Sequence, residues 1–194
     1  MAGNRCAALA AWLVAAALCL VAAPATAQDE AALWAALRAG GHVALLRHAL
    51  APGTGDPAAF ALGDCGTQRN LSAAGRAQAA RIGARLRENR IAAAQVYSSQ
   101  WCRCMETARL LDLGRVEELP ALNSFFRRYE REEAQTRAIR TWLTEQTPGT
   151  PVVLVTHQVN ITALTGVYPA SGELVVVRLR PDGTLDVVGS IETD

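Results

Sequence analysis

Lysine is absent from the sequence: all 19 Lys-plus-Arg residues are arginines, set against 18 Asp plus Glu for a formal net charge of +1. So balanced a chain gives no electrostatic reason to bind nucleic acid or an anionic membrane. Without lysine there is no Walker-type phosphate loop, and neither a Gly-rich phosphate loop nor clustered metal carboxylates stand in for it. All-arginine, alanine-heavy usage fits a GC-rich coding sequence. Repeats, low-complexity tracts and long linkers are missing from residues 28–194, so a single domain is expected there. Cysteines are few, and Cys102 and Cys104 stand one residue apart, a poor spacing for a zinc knuckle.

The N-terminus has the three-part form of a secretory signal peptide. A short basic start ending at Arg5 precedes the uncharged run CAALAAWLVAAALCLVAA, and Ala25-Thr26-Ala27 is a small-x-small cleavage site. The expectation is a signal peptide over 1–27, a domain over 28–194, a periplasmic or secreted location, and no stable membrane anchor after cleavage. An oxidising compartment permits a disulfide. Cys65 could pair with Cys102 or with Cys104, and spacing does not choose between them.

What is present alternates between two periodicities. Residues 29–39 have helical spacing, HVALLRH reads as a buried strand, and residues 49–69, rich in Gly, Pro and Asp, form a loop long enough to be functional. Ser72 is a helix N-cap, with Gly75, Ala79, Ile82 and Leu86 along one stripe. AQVYSS is a short strand, QWCRCMETARLLDLG a helix ending at Gly114, RVEEL a possible third strand, and residues 129–146 an amphipathic helix. PVVLVTH is another buried strand, QVNITALTG a helix, and ELVVVRLR with TLDVVGSIE a closing β-hairpin. The pattern predicts an α/β three-layer sandwich: a mainly parallel central sheet, helices on both faces, and a C-terminal β-hairpin.

Open sheets of this kind bind ligands beyond the carboxyl ends of their strands. Arg47-His48, Ser98-Ser99 and His157 all fall at such ends. A neutral imidazole is a nucleophile, and its pKa makes that form accessible near neutral pH. Guanidinium groups match phosphate oxygens and stay charged when partly buried. His48 and His157 with Arg47 and Arg103 therefore suit attack on a phosphoryl group better than attack on a carbonyl.

Four segments carry a family resemblance. LLRHA resembles the Arg-His-Gly signature of the histidine phosphatase (phosphoglycerate mutase-like) superfamily, with Ala49 in the third place; RNLSAAGRAQA resembles its LT-x-x-G-x-x-QA segment. YSSQWCRCMETA resembles SSPLxRAxxTA, which places the second arginine at Arg103, and VVLVTHQVNITAL resembles the VxHGG segment with its histidine at His157. The resemblance implies an exported phosphatase acting on a phosphomonoester, with His48 as the nucleophile that becomes a phosphohistidine. Arg47, Arg103 and His157 hold the phosphoryl oxygens, and no metal or organic cofactor is needed. Small phosphorylated molecules, cell-envelope phosphates among them, are the partners it implies.

The departures matter as much. Where many members carry a general-acid glutamate, this chain has PALNSFF with Ser124, and serine is a poor proton donor to an alkoxide. Gln158 and Val159 replace the usual glycines after the second histidine. Asn123 and Gln158 are candidate substrate-binding groups, and Arg69 could reach a second anionic group. The 53–68 loop would border the pocket, pinned by Cys65 to Cys102. Two other readings stand beside the phosphatase: a non-catalytic phosphate-binding envelope module, and a phosphomutase.

Overall fold

The computed structural model describes residues 25–146, 149–180 and 182–193. The signal peptide expected over 1–27 therefore lies, except for its last three residues, outside the described residues. The elements are α1 (Ala25–Ala39), β1 (His42–Arg47), α2 (Ala73–Glu88), β2 (Gln95–Ser98), α3 (Cys102–Leu110), β3 (Val116–Glu118), α4 (Glu132–Thr144), β4 (Val152–Thr156), α5 (Gln158–Thr165), β5 (Leu174–Leu179) and β6 (Leu185–Ile191).

Among the described residues the strands form one sheet in the order β3-β2-β4-β1-β5-β6. β1, β4, β2 and β3 run parallel, while β5 pairs antiparallel with β1 and β6 antiparallel with β5, giving the expected hairpin edge. Side chains alternate across the pleat, so each strand feeds two cores. Ala44 and Leu46 of β1, Val153 and Val155 of β4, and Leu174 and Val176 of β5 pack against Leu33, Trp34 and Leu37 of α1, Ile82 and Leu86 of α2, and Ala108 of α3. The residues between them, Val43, Leu45, Val152, Leu154, Val175 and Val177, meet Ile139 and Leu143 of α4 and Ile161 and Leu164 of α5. Coverage of both faces is why VALL and VVLV read as unbroken apolar runs. Each buried Val, Leu or Ile among them contributes about 1.5–3 kcal/mol by leaving water.

Three helices differ in extent from the sequence reading, α1 by starting at Ala25 rather than at residue 29. α3 stops at Leu110 rather than running to Gly114, because Asp112 adopts a left-handed φ of 52° that turns the chain and lets Leu113 re-enter the core. The helix expected from 129 begins at Glu132, after a single 3-10 turn over Tyr129–Arg131. α2 is capped as expected, with the Ser72 hydroxyl accepting from the Gly75 amide. Gly75 also permits a close approach: a Cβ there would lie 2.0 Å from the Leu50 carbonyl oxygen.

Register then places the chemistry. Arg47 lies opposite Thr156 in the parallel β1/β4 pair, so His48 and His157 emerge side by side one residue later. The His48 amide donates to the Thr156 carbonyl at 3.0 Å, and the Ser99 amide donates to Val155 at 2.9 Å, fixing all three strand ends against one another.

Candidate active site

Beyond these strand ends opens a cavity of about 570 Å³, within the range of small-molecule sites. Arg47, His48, Arg103 and His157 line it together, as do Arg69, Asn123 and Gln158. The two imidazole rings stand 5.6 Å apart, centre to centre, nearly edge to face.

Hydrogen bonds fix which nitrogen of each ring is available. Arg103 Nε can only donate, and it faces His48 Nε2 at 3.3 Å, so that nitrogen holds the lone pair. The proton sits on Nδ1, which donates to the Ala49 carbonyl at 2.8 Å. His157 is arranged in the opposite sense. Its Nδ1 accepts from Arg103 Nη2 at 3.4 Å, and its Nε2–H donates to Ser99 Oγ at 2.8 Å, which in turn donates to Asn123 Oδ1 at 3.3 Å. Burial, and then the Arg103 charge, pushes the His48 pKa down to about 3. The same two causes, with His48 third, hold His157 well below the ordinary histidine range. Both rings are therefore neutral at physiological pH, and His48 Nε2 is unprotonated.

Arg103 presents two forks, each with its own role. Its end-on fork clasps Asp56, with Nη1 donating to Oδ1 at 2.7 Å and Nη2 to Oδ2 at 3.1 Å. The remaining Nη1 proton goes to the Arg69 carbonyl at 3.3 Å. What is left, Nε and the second Nη2 proton, makes the side-on fork, and its long contacts of 3.3 and 3.4 Å point between the two histidines. A phosphoryl group placed there would meet a bidentate guanidinium edge. Arg47 adds a second source of donors: Nη1 donates to the Pro169 carbonyl at 2.7 Å, while its buried Nε has no partner among the described residues. An orphaned buried donor costs about 1–3 kcal/mol, which an anion beside it would offset.

Asp56 is the functional residue that sequence reasoning missed. It is the single carboxylate among the residues lining the cavity. Besides Arg103, its oxygens accept from Trp101 Nε1 at 3.0 Å and from the Arg69 amide at 3.1 Å. Burial alone would raise its pKa, but the Arg103 hydrogen bonds and charge, then the Trp101 bond, outweigh this and hold it below the ordinary 3.8. Asp56 is thus an ionised brace that fixes the guanidinium plane. Its loop is anchored by the Cys65–Cys102 disulfide, one of the two pairings left open by the sequence, directly beside Arg103. Gln68 strengthens the anchor by accepting from the Cys102 amide at 3.0 Å. Cys104 is free and fully buried, and burial lifts its thiol pKa to about 12.

The three candidate substrate-binding residues take up different duties. Arg69 lies at the cavity wall, but its guanidinium turns into the loop, donating to Gly55 at 2.8 Å and to the Ala51 carbonyl. Asn123 bridges backbone: its Oδ1 accepts from the Gln100 amide at 2.9 Å. Gln158 donates along its own helix to Thr162 at 2.9 Å. Ser124 faces the cavity as a hydroxyl that accepts from the Phe126 amide at 3.2 Å. Among the described residues, no group of three or more His, Cys, Asp or Glu side chains is placed to hold a metal ion.

No curated protein sequence matches significantly. Solved structures of similar fold include a mycobacterial glucosyl-3-phosphoglycerate phosphatase complexed with VO3 (18% identity, TM-score 0.57, covering 75% of this chain and 96% of that one). The protein histidine phosphatase SixA complexed with tungstate is similar too (17%, 0.55, 78% and 97%). So is a phosphoserine phosphatase from Entamoeba histolytica with 3-phosphoglyceric acid (13%, 0.55, 79% and 98%). These likenesses concern the fold. Residues 43–132, which include Arg47, His48, Asp56 and Arg103, match the model of the histidine phosphatase superfamily (branch 1).

Proposed function

We propose that the chain is an exported phosphatase that hydrolyses a phosphomonoester through a phosphohistidine on His48. One observation carries this reading: the side-on fork of Arg103 faces the His48 Nε2 lone pair at 3.3 Å and His157 Nδ1 at 3.4 Å, long contacts that a phosphoryl group entering between the two neutral imidazoles would replace. With the phosphoryl group in that space, Arg103 Nε and Nη2 and the unpartnered Arg47 Nε bind its oxygens. His48 Nε2 attacks phosphorus, the P–O bond to the leaving group breaks, and the His48 Nδ1 proton remains shared with the Ala49 carbonyl. Negative charge between the rings raises the His157 pKa, so its Nδ1 can take up a proton and donate to a phosphoryl oxygen. Water then attacks the phosphohistidine, releasing inorganic phosphate and restoring neutral His48.

With a serine at 124 and Asp56 ionised against Arg103, no carboxylic acid among the lining residues is left to protonate a departing alkoxide. The reading therefore favours substrates whose leaving groups need little protonation, and it disfavours a mutase, which must protonate and re-accept sugar hydroxyls. Export is supported by the Ala25-Thr26-Ala27 site after the apolar run and by a disulfide, which persists in oxidising compartments. Among the described residues no helix is long and apolar enough to cross a membrane.

The test is turnover of p-nitrophenyl phosphate, whose leaving group needs little protonation, by the purified protein. Turnover that disappears in His48→Ala is expected. Equal rates in both would remove His48 as nucleophile, and phosphate binding without turnover would favour the non-catalytic binding module.

A further inference from the structure

The charge lining the cavity exceeds what one phosphoryl group requires. Six arginines and one carboxylate line it, although the whole chain balances 19 basic against 18 acidic residues. Arg47 and Arg103 suffice for the phosphoryl oxygens, and Arg69 is turned toward loop carbonyls. Three remain, Arg127, Arg128 and Arg131, all exposed on the segment after Ser124. Among the described residues none of the three forms a salt bridge.

Nor is this rim an arbitrary solvated face. Arg127 holds a left-handed φ of 64°, a conformation that a non-glycine residue adopts only at a cost. Its guanidinium carbon lies 5.6 Å over the Phe126 ring. It also faces the turn that carries Asp56: a Cβ added at Gly55 would lie 3.6 Å from Arg127 Cζ and 3.5 Å from Phe126 Cε1. Backbone strain, the aromatic face and the absence of a side chain at Gly55 together set one cationic group at the cavity mouth, with two more beside it.

We propose that Arg127, Arg128 and Arg131 form a second anion subsite, and that the substrate carries, besides the phosphoryl group placed on His48, another phosphate or similarly charged group. The substrate class is then a polyanionic phosphate rather than a simple monoester; this rests on the phosphatase reading for the reacting group, but not for the subsite. Such a substrate also suits a site without a proton donor, since cations near the leaving portion stabilise its negative charge.

Isothermal titration of the purified protein with methylphosphonate, methylenediphosphonate and a hexane-linked diphosphonate tests this. None of the three is hydrolysable, and the two diphosphonates span short and long separations. Each exposed arginine-to-phosphonate pair contributes about two- to three-fold, so the better diphosphonate should bind about ten-fold tighter than methylphosphonate. In Arg127→Gln/Arg128→Gln/Arg131→Gln this ratio should fall below about three-fold. In Arg81→Gln/Arg109→Gln/Arg115→Gln, which removes equal charge outside the cavity, it should persist. Methylphosphonate binding reports that each variant is folded, and Arg127→Gln alone, with an intermediate ratio, serves if the triple variant is not. A wild-type ratio under about three-fold, or an equal loss in the control triple, overturns the proposal. Parallel turnover of p-nitrophenyl phosphate separates the two claims: preference without turnover removes the phosphatase reading, and turnover without preference removes the subsite.

Discussion

Asp56→Asn removes the charge that braces Arg103 while keeping shape, and its consequences can be worked out in advance. The pair is nearly dry, with side-chain exposures of 3% for Arg103 and 16% for Asp56. Removing one partner of a buried ion pair costs about 3–5 kcal/mol because the other charge is left uncompensated. Asparagine keeps one acceptor oxygen and Asp56 sits at the water-facing side, so about 3 kcal/mol is expected, roughly 6–12 °C in melting temperature for a chain of this size. Circular dichroism melts at pH 7 measure it. Kinetically, the side-on fork loses its fixed plane, and a misplacement on the order of 1 Å costs about a hundred-fold in rate. That loss should be the same for p-nitrophenyl phosphate and for phenyl phosphate, whose leaving group is far more basic. A melting temperature within about 2 °C of wild type would refute the brace. A rate loss confined to phenyl phosphate would make Asp56 a proton donor instead.

Other consequences follow from the same geometry. The Cys65–Cys102 bond closes 37 residues, so Cys65→Ser/Cys102→Ser should lose about 2–4 kcal/mol in urea unfolding, and activity should fall as the Asp56 loop loosens; unchanged stability would contradict this. Gly75→Ala would set a methyl group 2.0 Å from the Leu50 carbonyl, forcing backbone to move two residues from His48. A loss of more than about 2 kcal/mol, with lowered turnover, is expected, and a neutral effect would contradict the packing. Both imidazoles have folded pKa values below 6.5, so the unfolded chain binds more protons. Their stability contribution is complete above pH 6.5 and declines as pH falls below it, His48 down to about 3. Melts between pH 7 and 5 should show stability falling with pH, with a slope shallower in His48→Asn by about 1 kcal/mol per pH unit; identical slopes would contradict neutral burial of His48.

Legibility followed periodicity. Arg47, His48 and His157 could be found because each ends an apolar strand, and parallel pairing with adjacent register brings such ends together. Arg103 was visible through its segment. The disulfide partner was ambiguous in sequence, yet helical geometry resolves it: residues two apart point about 200° apart. Cys102 opens α3 toward the loop, and Cys104 turns into the core. Asp56 could not be read because it lies in a turn-rich loop without periodicity, with Gly53 and Gly55 at φ 92° and 72°. Nothing local says that its carboxylate meets an arginine 47 residues on. Arg69 looked free in sequence because carbonyl acceptors such as Gly55 and Ala51 exist only once the loop folds. Arg127, Arg128 and Arg131 fall in no recognisable motif, and only the fold brings them to the cavity.

The central claim is the covalent role of His48, and mass spectrometry of the protein quenched in alkali during turnover tests it most directly. A phosphoryl adduct on the peptide containing His48 is expected, lost on brief acid treatment and missing from His48→Ala. Turnover with no adduct, or an adduct on another residue, would contradict it.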